Sequence, residues 1–424
     1  MAEPLHSDAP TDPDSTSTSF GYRVLRRLGA AFTFRDFRVL WLGAFTSTTG
    51  SWMQQVAQRW LVLTLTGSAF FLGLESFLAQ LPILLFTLIG GVIADRKDRR
   101  YLLIGSQYVQ MTSAFILAAL VYFDIVQIWH ILLLSFVSGC GQAFGGPAYQ
   151  SLLPALVPKQ TLPNAIALNS IQFNLARVFG PLIAGITLAA LGTAACFGLN
   201  GLSFFVVIIA LMSLRVKHVT PTNQRSMMEE LRGGLSYVKH EGALLTLTIL
   251  AFMTTFLGLP LLTLLPVVTQ SVFQEGVGQY SQMLAFSGTG AVIGALIVAW
   301  LGKFKRMGLT LLCMQVAFGA LIIAFSFSRI MLLSELLLLL SGATLIMVFS
   351  LVTSLVQLAV PNELRGRVMS IFMLAFRGGM PLGDLMGGFL ASQISATFVL
   401  TLNGTLLVFV ACYFLVRSHG IREL

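Results

Sequence analysis

Apolar residues in this chain come in long runs, and each run is closed by a short polar or basic break. The runs fall near residues 39–63, 70–94, 101–123, 128–151, 163–190, 194–215, 243–270, 278–301, 308–327, 331–357, 366–392 and 396–417. About 20 apolar residues in a helix span the ~30 Å hydrocarbon core of a bilayer, and a helix satisfies its own backbone polar groups there. The pattern therefore predicts an all-α membrane protein with twelve transmembrane helices. The shallowest breaks lie near 124–127 and 326–330.

Composition removes the soluble alternative. Hydrophobic residues are 56% of the chain, charged residues only 10%, and the mean hydropathy is +0.84. A soluble domain carries about 25% charged residues, so this chain cannot cover a water-facing surface and its first partner is the lipid bilayer. Cys140, Cys196, Cys313 and Cys412 lie in apolar runs at unrelated spacings and read as small buried hydrophobes, with no metal or disulfide framework.

Charge orients the helices. Of 26 Lys and Arg, Arg59, Arg177 and Arg377 fall in spans and Arg329 in an outer loop, while the other 22 fall on one side. The positive-inside rule makes that side, with both termini, cytoplasmic. The net charge of +9 thus records topology and calls for no nucleic-acid partner. The outer loops are too short for an extracytoplasmic domain. Met1 to Phe20 is acidic and rich in Pro, Ser and Thr. Residues 1–32 are expected to form a disordered cytoplasmic segment without a cleavable signal.

The chain also repeats itself. Ser138-Gly139 and Val157-Pro158 recur as Ser341-Gly342 and Val360-Pro361, an offset of 203 residues. One helix later Arg177, Pro181 and Leu182 recur as Arg377, Pro381 and Leu382, an offset of 200. The expectation is two pseudo-symmetric six-helix halves, 33–215 and 243–417, joined by a cytoplasmic linker at 216–242 and followed by a tail at 418–424.

Between the second and third runs stands Gly90-Gly91-Val92-Ile93-Ala94-Asp95-Arg96-Lys97-Asp98-Arg99-Arg100. This Gly-x3-Asp-Arg order with a following arginine pair resembles the corresponding loop of the major facilitator superfamily. Ser51-Trp52-Met53-Gln54, Leu162-Pro163-Asn164-Ala165 and Arg365-Gly366-Arg367-Val368-Met369-Ser370 narrow the resemblance to the branch of enterobactin exporters and macrolide efflux proteins. It covers roughly residues 33–417. The resemblance implies the major facilitator fold and a gating loop at Gly91, Asp95, Arg96, Arg99 and Arg100. Asp98 stands where the family pattern has glycine. In the second half Gly294 aligns with Gly91, but Val298 takes the place of Asp95. The arginine that many proton antiporters carry in helix four is Ser135 here.

Ser47, Ser51, Gln54 and Gln58 fall on one stripe of the first helix, with Arg59 beside it. Amides and a guanidinium do not face lipid, so the stripe either bonds to neighbouring helices or lines a watered cavity. Candidate cavity residues are Ser51, Gln54, Gln58, Arg59, Asn174, Arg177 and Arg377. Arg177 is followed by Gly180-Pro181 and Gly185, a partial likeness to the antiporter signature of exporters and a candidate hinge. Glu75 and Asp384 are the candidate proton carriers; Glu335 is the third acidic residue within a span.

No nucleotide-binding loop and no clustered catalytic set is present. The expectation is a secondary exporter, with no ATP, metal or cofactor, that moves a small amphipathic or apolar molecule (siderophore, antibiotic or other secondary metabolite) out of the cytoplasm by alternating access. The driving force would be a proton gradient, and the working unit a monomer. A lipid or solute importer, or a flippase, is the alternative within the fold; a membrane-embedded enzyme or a receptor is the alternative outside it.

Overall fold

In the computed structural model, residues 29–96, 98–215, 235–361 and 364–418 are described. Among them are twelve long helices: α1 Arg35–Thr66, α2 Ala69–Arg96, α3 Arg99–Tyr122, α4 Ile128–Leu152, α5 Leu162–Leu191, α6 Thr193–Ser213, α7 Gly242–Ser271, α8 Val277–Leu301, α9 Met307–Phe327, α10 Met331–Ala359, α11 Arg365–Gln393 and α12 Ala396–Arg417. Eleven are long and apolar enough to cross a membrane. The exception is α1. Its 32 residues are ample in length, but Ser51, Gln54, Gln55, Gln58 and Arg59 dilute its hydropathy, and Gln54, Gln58 and Arg59 prove to belong to the candidate site.

Turn chemistry sets the helix ends. Gly67 closes α1 with φ +60°, a left-handed conformation that a side chain would strain. The Asp98 carboxylate accepts from the Arg100 backbone N–H at 2.9 Å and caps α3. Both breaks that looked shallow in the hydropathy pattern are real: Asp124 turns the chain with φ +56°, and residues 328–330 separate α9 from α10. Residues 30–33, at the end of the segment expected to be disordered, instead form a 3-10 turn. Its Ala31 is buried and donates its N–H to the Asn164 side chain at 2.8 Å. Residues 1–28 and 216–234 lie outside the described residues.

The sequence repeat reappears as packing. A Cβ on Gly139 of α4 would strike the Ala79 carbonyl of α2, and a Cβ on Gly342 of α10 would strike the Ser287 carbonyl of α8. Small residues let these helix pairs meet backbone to backbone, as membrane helices do where lipid is as apolar as leucine. The cysteine expectation needs correction. Only Cys196 is buried; Cys313 and Cys412 are exposed on the bundle surface, where a bilayer accepts an apolar thiol at no penalty.

Three apolar clusters show how the bundle is held. The side on which the described chain begins and ends is the terminus side; the opposite one is the far side. On the terminus side, one cluster (Phe37, Leu40, Leu103, Leu152, Phe204) draws only on helices α1 to α6 and their flanks. A second (Leu247, Leu250, Leu311, Leu351, Phe372) draws on α7 to α11 and residues beside them. The third, towards the far side, unites both groups through Met53, Leu61, Leu72, Leu261, Tyr280 and Phe318. The first six and last six helices are thus welded at the far side. Among the described residues, no buried cluster joins them at the terminus side.

Candidate transport site and far-side contact

The polar stripe of α1 meets other helices. Gln58 Nε2 donates to Glu75 Oε1 of α2 at 2.6 Å and to Ser135 Oγ of α4 at 2.8 Å, and Ser135 itself donates to Glu75 at 3.1 Å. Gln54 Nε2 donates to Gln58 Oε1 at 3.2 Å, and Asn200 of α6 donates to Gln54 Oε1 at 2.6 Å. Ser51 spends its hydroxyl on the Ser47 carbonyl at 2.9 Å. One chain of hydrogen bonds therefore links α1, α2, α4 and α6. Gln58, Glu75 and Ser135 are all buried, so removal of any member leaves a polar group without water to replace it.

Arg59 turns the other way, out of this chain and toward the last six helices. Its Nη1 donates to the Leu262 carbonyl of α7 at 3.3 Å, and its guanidinium lies within electrostatic reach of Glu75, Asp384 and Tyr280. The Tyr280 ring of α8 stacks on Trp60, next to Arg59, with centroids 6.1 Å apart. Across the seam between the two groups, Ser76 of α2 donates to Asp384 Oδ2 of α11 at 2.5 Å. Arg59 Nε, Asp384 Oδ1, Tyr280 Oη and Thr263 Oγ1 are buried without a well-formed hydrogen bond, Thr263 standing beside Asp384 and Tyr280 beside Arg59. The seam thus buries two imperfectly bonded polar pairs, each joining one six-helix group to the other or lying at their contact. Sequence reasoning found Arg59, Glu75 and Asp384 but missed Ser76, Thr263, Tyr280 and Asn200. Ser76 could have been flagged by its place beside Glu75; the others carry no signal in a single chain.

The same seam is tight because of glycine. A Cβ on Gly73 of α2 would lie 3.1 Å from Gly388 Cα of α11, and one on Gly388 would lie 2.9 Å from Gly73 Cα. Within the second group, a Cβ on Gly383 of α11 would strike the backbone of Phe256, inside a π-helical turn of α7 at Thr254–Gly258. π-turns in helices concentrate at functional sites.

The remaining candidates are spread around the bundle. The guanidinium of Arg177 lies 5.6 Å from the Trp52 ring centroid, and a Cβ on Gly180 would meet Trp52 Cβ and the Thr49 carbonyl. Pro181 is buried within α5, and Gly185 lies against Ser281 of α8. Asn174 donates to its own helix at Ser170, 2.8 Å away. Arg377 is exposed on α11. Glu335, on α10 near the far side, accepts from Gln279 at 2.7 Å and Gln282 at 2.8 Å, both on α8.

Of the candidate gating loop, Gly91 has open space where a Cβ would stand, while the side chains of Asp95 and Arg96 lie outside the described residues. Arg99 donates to the Ser151 carbonyl at 3.1 Å, and Arg100 to the Met212 carbonyl. These two arginines tie the start of α3 to the ends of α4 and α6, all within the first six helices.

Comparison with known proteins places this geometry. Residues 29–421 match the family described as transmembrane secretion effector. The Staphyloferrin A transporter of Staphylococcus aureus is 28% identical, over 89% of this chain and 96% of its own. Macrolide efflux protein A of Streptococcus pyogenes is 22% identical, over 88% and 94%. The enterobactin exporter EntS of Escherichia coli is 25% identical, over 91% and 94%. Among solved structures, an inward-facing bacterial homologue of the human lysosomal transporter Spinster superposes with a TM-score of 0.71 at 13% identity, covering 90% of this chain and 96% of that one. The match spans nearly the whole chain, so this protein belongs to the transmembrane secretion effector family of major facilitator transporters, and it is a multi-pass secondary exporter of small molecules and not an enzyme.

Proposed function

We propose that the chain exports a small amphipathic molecule, of the siderophore or antibiotic kind named for its relatives, across the bacterial inner membrane in exchange for protons. Helices α1 to α6 (33–215) and α7 to α12 (243–417) act as the two rocking bodies, joined through 216–242, and a single chain suffices. The terminus side carries the excess of Lys and Arg and is therefore cytoplasmic. With the far side welded and the terminus side unjoined, the structure corresponds to the cytoplasm-open stage of alternating access.

The observation that carries proton exchange is the cluster of Arg59, Glu75 and Asp384 at the far-side seam. Asp384 has one oxygen on Ser76 and one buried without a well-formed hydrogen bond. A partly satisfied carboxylate in a dehydrated seam is expensive when charged. Gain or loss of a proton there changes the free energy of keeping the seam shut, and that is the coupling an antiporter requires. Each charge moved through 100 mV supplies about 2.3 kcal/mol.

The test is efflux in a pump-deficient host and in proteoliposomes. Collapse of the proton gradient is expected to abolish export, and addition of substrate is expected to move protons. Export that continues unchanged without the gradient would remove proton exchange from the account, and substrate uptake into the cytoplasm would reverse the direction.

A further inference from the structure

We infer that Arg177 and Trp52 form a docking site for the anionic group of the exported molecule, which makes the cargo an organic anion with a flat apolar body. The inference rests on the exporter reading and adds the chemical class of the cargo.

Arg177 stands near the middle of α5. Among the described residues no carboxylate lies within 4.0 Å of it, since the ion pair found there is Arg35–Asp36. No described group accepts a hydrogen bond from its guanidinium either; its one contact of that kind is the Trp52 face. Four other arginines are tied down. Arg59 donates to the Leu262 carbonyl, Arg99 to Ser151, Arg100 to Met212 and Arg329 to Ser326 and Ser328. An arginine held at bilayer depth without a counter-charge is costly, and in a transporter the missing charge can arrive with the cargo.

Position agrees with that role. The Arg177 carbonyl lies against Gly288 of α8, 2.9 Å from where a Cβ would stand, so the residue sits at the seam between the two six-helix groups. Trp52 is held in place from two sides. Gly180 packs on its Cβ, and Phe173 meets its ring edge-on with centroids 6.2 Å apart. A fixed indole face beside a guanidinium with free donors matches a carboxylate or phenolate joined to an aromatic or unsaturated skeleton. The oxygen takes the N–H fork, and the skeleton takes the aromatic surface. Arg377, at the matching place in α11, has no carboxylate within 4.0 Å among the described residues. A guanidinium without a counter-charge at this site disfavours a cationic cargo.

The experiment is binding to purified full-length protein without any gradient, so that anion preference and gradient coupling are read separately. The probes are 2-naphthoate, its uncharged isostere 2-naphthamide, and the cation ethidium, followed by calorimetry. Wild type is expected to bind 2-naphthoate in preference to the other two. Arg177→Gln is expected to weaken 2-naphthoate by about tenfold or more, the loss of one charge-assisted contact, and to leave 2-naphthamide unchanged. Arg177→Lys, which keeps the charge and guards against a folding defect, is expected to fall between. The inference is overturned if wild type does not bind 2-naphthoate, if ethidium binds more tightly than 2-naphthoate, or if Arg177→Gln binds 2-naphthoate as wild type does.

Discussion

Alanine at Gly73 or Gly388 isolates the far-side seam from the rest of the protein. In the closed seam a new methyl at Gly73 would lie 3.1 Å from Gly388 Cα, and one at Gly388 would lie 2.9 Å from Gly73 Cα. Carbon atoms rest at about 3.5–4.0 Å, and the Gly73 methyl would also strike the Asp384 carbonyl, so α2 and α11 must part by about 1 Å, and backbone on both sides prevents a cheap local adjustment. Overpacking of this kind costs about 1–3 kcal/mol. Alanine also favours a helix over glycine by about 1 kcal/mol, but that gain is present whether the seam is open or shut and cancels from the comparison. The clash exists only in the shut state. The equilibrium therefore moves toward far-side opening by roughly 5- to 140-fold, taking 1.4 kcal/mol per factor of ten. Spin labels on cysteines at the exposed positions Leu65 and Ile394, in a chain relieved of its native cysteines, would report the distance across the far side. Either variant should broaden and lengthen that distance, with slower transport and a folded, monodisperse protein. A distance distribution identical to wild type in both variants would refute the claim that this glycine contact holds the far side shut.

Three further outcomes follow from the geometry. Gln58→Leu strips Glu75 of its 2.6 Å donor and should lower stability by about 1–3 kcal/mol. Gln58→Leu with Glu75→Met should recover melting temperature but not transport, and full transport in that pair would make Glu75 purely structural. Asp98→Ala removes the cap of α3 and should cost about 1 kcal/mol in thermal melting with transport intact; lost transport in a stable variant would return Asp98 to the gate. Deletion of one residue from the Thr254–Gly258 turn converts a π-turn to regular helix. It should leave the protein inserted but unable to export, and wild-type export would strip the turn of any conformational role.

The twelve helices were legible because hydropathy is read by the same bilayer that the helices cross, residue by residue. The polar stripe of α1 was legible too, since its period is that of one helix, but its destination was not. Whether Gln58 meets water or Glu75 depends on how α1, α2 and α4 rotate against one another, and that is decided by glycine-to-backbone contacts such as Gly139 on Ala79. Asp98 shows the same limit. As a letter it read as an added charge in a gating loop; in place, its carboxylate points at the backbone N–H of Arg100 and caps α3. Ser76 and Tyr280 acquire meaning only across the seam, at sequence separations no local pattern can span.

The two halves repeat in sequence yet carry different chemistry, and the difference has a physical use. The first half holds the buried hydrogen-bond chain from Asn200 through Gln54 and Gln58 to Glu75, a rigid unit because every break in it strands a polar group. The second half presents the Leu262 carbonyl, Asp384 and Gly388 to the seam, while Gly379 and Gly383 of α11 pack on the Thr254–Gly258 turn of α7 inside that half. Backbone surfaces without long side chains can slide with little rearrangement, whereas a hydrogen-bonded network cannot. On the proton-exchange proposal, the charge that governs the seam is presented by α1 and α2 and met by α7 and α11. Asp384 joins the two halves, an acidic residue of α11 held by Ser76 of α2. On the proton-exchange proposal, a change in its charge acts directly on the surface between the two halves, where a few kcal/mol can decide which side of the membrane is open.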